Sequence, residues 1–199
     1  MIGSALFALG SFPIVNRVEP RLDSAAYAAG AVFFTAAAAL QFLQSLEPGP
    51  GPSPGELASL RRVEQYACGI QLVGTLWFNL MTVNALATNL TATEARRRIW
   101  FPDAFGSIAF LVASYLALAA VSGSWRLRVR GPDDLEGDIA TLNWWGSIAF
   151  GVSGAGGLIL PSGKELDYAV ATASTFVGAV CFFLGARLML PGVSRRLTR

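Results

Sequence analysis

The sequence predicts an all-α protein: a polytopic membrane helix bundle with six transmembrane helices, arranged as three tandem two-helix hairpins. Three observations carry this expectation. Of the 199 residues, 53% are apolar and only 14% are charged, against about 25% charged in an ordinary soluble domain. The apolar residues gather in six blocks instead of being spread by amphipathic periodicity, and about 20 such residues make a helix long enough for a bilayer core. One short motif recurs in every block.

The blocks run roughly over 1–15, 24–46, 64–87, 103–122, 139–160 and 168–191. Proline and charge punctuate them. Pro13, Arg17, Glu19, Pro20, Arg21 and Asp23 separate the first two. The run from Glu47 to Pro54 alternates proline with glycine and cannot continue a helix. The third gap carries Arg96, Arg97 and Arg98 and then Trp100, Phe101 and Pro102, basic and aromatic as a membrane interface is. The fourth alternates Arg126, Arg128 and Arg130, then turns acidic through Asp133, Asp134, Glu136 and Asp138. The fifth is short, from Pro161 to Glu165, and the tail ends in Arg195, Arg196 and Arg199. Helices are expected throughout, because lipid-exposed backbone must satisfy its own hydrogen bonds and the blocks lack the alternation of barrel strands.

With six spans both termini share a side. That side holds eight basic loop residues (Arg61, Arg62, Arg126, Arg128, Arg130, Arg195, Arg196, Arg199) and the other holds six (Arg17, Arg21, Arg96, Arg97, Arg98, Lys164). The excess places the termini in the cytoplasm. Fourteen of the fifteen basic residues are arginine, which with abundant Ala, Gly and Pro suggests a GC-rich bacterial genome and an inner-membrane location. The first block starts abruptly at Met1, without a basic region before it or a cleavage site, and points to a truncated or late-set beginning.

The recurring motif is Gly, a small residue, two residues, Phe, two residues and usually two small residues. It reads Gly3-Ser4…Phe7…Gly10-Ser11, Gly30-Ala31…Phe34…Ala37-Ala38, Gly74-Thr75…Phe78…Met81-Thr82, Gly106-Ser107…Phe110…Ala113-Ser114, Gly146-Ser147…Phe150…Ser153-Gly154 and Gly178-Ala179…Phe182…Gly185-Ala186. Glycines 3, 74 and 146 are spaced by 71 and 72 residues, and glycines 30, 106 and 178 by 76 and 72. The unit is therefore a hairpin used three times, roughly 1–47, 64–122 and 139–191, within one domain over 1–199. Copies of a two-helix unit are parallel and can surround an axis along the membrane normal. The small residues recur on one side of each helix, where they let backbones approach, and Phe can fill the space beside that contact.

Three residues before the key glycine stands a polar residue in the last five spans: Tyr27, Gln71, Asp103, Asn143 and Thr175. The third span is the most polar, with Glu64, Cys68, Gln71, Thr75, Asn79 and Thr82 inside an arc of about 80° on a helical wheel. Such a stripe faces protein or water. Gln71, Thr75, Asn79, Thr82, Asp103 and Asn143 are candidates for a polar solute path or for interhelical hydrogen bonds, and both readings stay open. Asp103 after Pro102 has the look of a helix N-cap, as does Asn143. Arg187, a turn from the end of the last span, is expected to snorkel to headgroups.

Several chemistries are excluded. There is no histidine, and Cys68 and Cys181 are the only cysteines. A His/Cys zinc, haem or iron–sulfur centre lacks ligands, and a Ser-His-Asp or Cys-His centre cannot form in this chain alone. The two cysteines belong at different depths and are not expected to form a disulfide. No catalytic, cofactor-binding or metal-binding residue is assigned. A net charge of +2 gives no reason to expect nucleic acid.

The Gly-Ser-x-x-Phe unit at Gly3, with Tyr27-Ala-Ala-Gly-Ala-Val-Phe-Phe34, resembles the two-helix YrhK-like membrane domain. Gln71-Leu-Val-Gly-Thr-Leu-Trp-Phe-Asn79 and Pro102-Asp-Ala-Phe-Gly-Ser-Ile-Ala-Phe110 look similar to multi-pass actinobacterial proteins that carry it. The resemblance implies a bacterial membrane location and no established activity, so no catalytic residue is carried over. The expected function is a non-enzymatic structural component that binds lipid or a partner, in contact with the bilayer and with another membrane protein or a second copy. The alternative is a small channel or transporter lined by the third helix. An intramembrane enzyme has only Glu64, Asp103 and loop carboxylates to draw on.

Overall fold

The computed structural model describes residues 1–12, 20–47, 56–87, 89–122 and 134–190. The first charged gap from Pro13 to Glu19, the proline run from Pro48 to Pro54, the loop from Gly123 to Asp133 and the tail from Pro191 lie outside the described residues. Six main helices carry the described fold: α1 (Ile2–Gly10), α2 (Pro20–Leu46), α3 (Glu56–Ala85), α4 (Phe101–Ser122), α5 (Leu135–Gly156) and α6 (Tyr168–Leu188). Among the described residues no strand forms, and the one extended pairing is an isolated antiparallel bridge between Ile159 and Glu165.

Four stretches are long and apolar enough to cross a membrane: Leu22–Leu46, Arg61–Ala85, Ala92–Ser122 and Tyr168–Leu188. Two helices fall short of that description. α1 has nine helical residues. α5 has 22, but Asn143, two tryptophans and its glycines and serines dilute its apolar character. Large apolar side chains, among them Val32, Leu40, Leu76, Val83, Ile108, Val112, Val177 and Leu184, stand exposed on the helix exteriors.

α4 departs from the expected boundary. Pro102 suggested a helix start, with Asp103 as its cap. The helix instead begins ten residues earlier at Ala92, and Thr91 and Glu94 form a reciprocal capping box there. Glu94 also meets Arg98 one turn on, at 3.7 Å. Between this short Ala92–Ala95 turn and α4 lies a π-helical turn, Arg96–Trp100. Pro102 has no N–H to give to the carbonyl four residues back, and its ring crowds that carbonyl. The wider turn makes room, and the Asn84 side chain donates to the Arg98 carbonyl at 2.9 Å. Asp103 is therefore an interior residue of a continuous helix. Asn143 is interior too, because Asp134 caps α5 by accepting from the Gly137 N–H at 3.0 Å.

Each helix packs on its neighbours in chain order, and α6 returns to α1, so the six helices close a ring. Within the pairs α1/α2, α3/α4 and α5/α6 the same reciprocal contact recurs. Phe7 lies over Gly30 and Phe34 over Gly3; Phe78 lies over Gly106 and Phe110 over Gly74; Phe150 lies over Gly178 and Phe182 over Gly146. A Cβ built on Gly3 would stand 2.8 Å from the Gly30 carbonyl oxygen, so the two backbones touch. Only glycine permits this approach.

The six phenylalanines then meet in the middle of the ring. Their centroids lie 5.1 Å (Phe78–Phe110) to 6.4 Å (Phe34–Phe110) apart across nine pairs, many edge-to-face. That spacing is ordinary aromatic contact. Because the two glycines of each pair lie level with one another and successive helices run in opposite directions, Phe7, Phe78 and Phe150 form one layer, with Phe34, Phe110 and Phe182 in the next. Each helix supplies one ring to this plug.

Candidate functional site

On one side of the phenylalanine plug a cavity of about 240 Å³ opens at the end of the bundle where α2, α4 and α6 begin. Phe7, Phe78 and Phe150 form its floor. Its wall takes equivalent positions from the three hairpins. Tyr27, Asp103 and Thr175 stand three residues before their glycines, and Ser24, Trp100 and Thr172 stand six before. Asp23, Glu165 and Tyr168 complete the rim.

Three carboxylates thus face one space. Asp103 is half-buried and lines the cavity. It lines the same cavity as Glu165. Among the described residues the Asp103 carboxylate accepts no hydrogen bond, whereas Asp23 accepts from the Ser24 hydroxyl at 3.1 Å. Burial pushes the Glu165 carboxyl above the usual carboxylate range. No lysine or arginine side chain among the described residues lines the cavity.

Two hydrogen bonds fix the aromatic walls. The Trp100 indole N–H donates to the Gly154 carbonyl at 2.8 Å, which joins α5 to the π turn before α4. The Tyr27 and Ser11 hydroxyls share a hydrogen bond of 2.9 Å. The Glu165 loop is tied as well. Leu160 and Lys164 pair through their backbones, and Gly163 turns at φ +82°, a conformation natural to glycine. The Arg96 guanidinium donates twice to the Ile159 carbonyl, at 2.8 and 2.5 Å. This clamp holds the Ile159–Glu165 bridge at the cavity's edge.

The candidate residues named from sequence do not share one surface. Asp103 faces the cavity. Thr75 and Thr82 are fully buried, with hydroxyls turned back to the Leu72 and Phe78 carbonyls of their own helix, at 2.7 and 2.9 Å. Asn79 donates to the Thr35 hydroxyl on α2 and to the Thr75 carbonyl, the latter at 3.0 Å. Gln71 and Asn143 lie toward the opposite end of the bundle from Asp103, because odd and even helices run in opposite directions. Asn143 there abuts Gly185. Arg187 is exposed in the last turn of α6, and Cys68 and Cys181 are free thiols. The cavity residues Asp23, Trp100, Glu165 and Tyr168 were not singled out from the sequence as candidates for a site. The one signal that pointed here was the polar residue three before each even-span glycine.

Among the described residues no group of three metal-ligating side chains gathers. No protein-family model, curated protein or solved structure matches this chain.

Proposed function

We propose that the chain is a six-span integral protein of a bacterial inner membrane, with cytoplasmic termini, whose work is binding and not catalysis or conduction. In this reading α1 and α5 cross the bilayer with the four longer apolar stretches, and the hairpins are three copies of one unit around an axis along the membrane normal. The likeness to the YrhK-like two-helix domain belongs to the same proposal, carried by the Gly-Ser-x-x-Phe motif. The observation that carries the reading is the plug. Six aromatic rings in mutual contact fill the axis, so a ligand that enters the cavity meets a floor and not a path.

Lipid and partner contacts fit the exterior. Trp77, Phe101 and Phe105 line a groove beside Arg96, Arg97 and Arg98, an aromatic and cationic combination suited to an interfacial phospholipid. The exposed apolar flanks suit lipid, a membrane partner or a second copy.

A small channel or transporter lined by α3 is the second reading, and the cavity itself favours it, since a vestibule is also what a transport path begins with. Single cysteines at Thr75, Asn79 and Thr82, in a chain with Cys68→Ser and Cys181→Ser, separate the two. Under the binding reading an impermeant thiol reagent leaves Asn79→Cys unmodified in intact membranes while a loop cysteine reacts. Modification at that position makes conduction the better reading.

A further inference from the structure

We infer that the cavity floored by Phe7, Phe78 and Phe150 is a binding site for a small organic cation, an ammonium group of roughly choline size or less. The inference deepens the binding reading and takes from it only that the site opens on the periplasmic face.

Charge selects the sign of the ligand. Asp103 and Glu165 line the same space, and no lysine or arginine among the described residues lines it with them. Two carboxylates that line one small cavity, with aromatic rings around them, favour a counter-charge between them.

The lining selects its chemistry. A hard metal ion asks for about six oxygen ligands, and the described carboxylates do not cluster as metal ligands do. Aromatic surfaces supply much of the wall instead: Tyr27, Trp100 and Tyr168 at the sides and the three phenylalanines below. Aromatic faces attract an ammonium through their quadrupoles, and cages of this composition recognise alkylated ammonium groups. Trp100 and Tyr27 are held by hydrogen bonds before any ligand arrives, which lowers the ordering cost of binding.

Volume limits the size. About 240 Å³ is less than the roughly 300–1,000 Å³ of pockets for drug-sized molecules. The ammonium can belong to a free solute or to the headgroup of phosphatidylethanolamine, and the test distinguishes these sources.

The full chain in phosphatidylglycerol nanodiscs is titrated calorimetrically with tetramethylammonium chloride, against sodium chloride at equal ionic strength. Saturable binding of tetramethylammonium alone is expected. Asp103→Asn and Glu165→Gln should each weaken it by about tenfold, the loss of one close charge contact, while Glu136→Gln, away from the cavity, leaves it unchanged. Tyr168→Leu should weaken it with no change in net charge. Repetition with phosphatidylethanolamine in the nanodisc reads the source: weakened apparent affinity identifies the headgroup as occupant, and unchanged affinity identifies a free solute. Absence of saturable binding by a protein with normal melting and elution overturns the proposal, as does wild-type affinity in both Asp103→Asn and Glu165→Gln. Failure of the binding-only reading has a separate signature. Release of entrapped choline from proteoliposomes shows conduction, whatever the titration gives.

Discussion

Phe150 lies so close over Gly178 that a Cβ built on that glycine would stand 2.5 Å from the ring's Cδ1 atom. Neither side can easily give way. Phe150 is held against Phe182, Phe110, Phe78 and Phe7, and the Gly178 backbone abuts the Gly146 carbonyl. The equivalent contacts at Gly30 and Gly74 are comparably tight, at 2.6 and 2.8 Å.

Gly178→Ala should therefore destabilise the protein by about 1–3 kcal/mol, the usual range for overpacking a filled core. Gly69→Ala is the control. Its new methyl would meet Phe42 at an ordinary 3.4 Å, and alanine is the better helix former by about 0.5–1 kcal/mol. Thermal unfolding in detergent should show Gly178→Ala melting lower than wild type and Gly69→Ala melting no lower. Equal melting of the two variants would remove the plug from the account of stability.

Much of this contact was legible in the sequence, because it depends on local spacing. Gly and Phe four apart lie near one face of a helix, and a fixed register in six blocks gives six similar faces. The cavity was less legible for three reasons. The polar residues three before each glycine looked equivalent, yet antiparallel helices carry Tyr27, Asp103 and Thr175 to one end and Gln71 and Asn143 toward the other. Pro102 disguised Asp103 as a cap, since the π turn that admits a proline inside a helix leaves no simple pattern. Glu165 sits in a short loop whose geometry depends on Arg96, 69 positions earlier, and no local periodicity couples the two.

The plug also predicts what opens the bundle. Phe78→Ala with Phe150→Ala removes two of the three floor rings and joins the cavity to the space between layers. Each truncation of a buried phenylalanine costs about 3–5 kcal/mol in a soluble core, so the pair needs a membrane-embedded assay and a folding control by circular dichroism. In proteoliposomes the double variant should leak a small trapped solute faster than wild type. An intact barrier in a folded double variant would place the seal elsewhere than the aromatic floor.

Asn84 and Pro102 should be coupled. The Asn84 amide serves the Arg98 carbonyl, the one that Pro102 leaves without its usual donor. Asn84→Leu should then cost about 1 kcal/mol, the net worth of a hydrogen bond. In a Pro102→Ala background, where residue 102 regains an N–H, the same substitution should cost measurably less. A double-mutant cycle read by chemical unfolding checks this. Additive effects would mean that the contact is incidental to the π turn.

Glu165 should give stability a recognisable pH dependence. Burial raises its carboxyl pKa in the folded protein, so between the unfolded and folded pKa values the native state holds more protons than the unfolded chain. By linkage, stability then falls as pH rises through that window and is greatest below it. Asp103, Asp23, Tyr27, Tyr168 and the Arg96 clamp border the same region, so the total profile contains their contributions too. The Glu165 share is isolated by difference: Glu165→Gln should flatten the decline in melting temperature from mildly acidic to neutral pH. A tetramethylammonium ion in the cavity should also reduce the decline, because it favours the ionised carboxylate. Parallel profiles for wild type and Glu165→Gln would show that Glu165 ionises in the folded protein as it does in the unfolded chain.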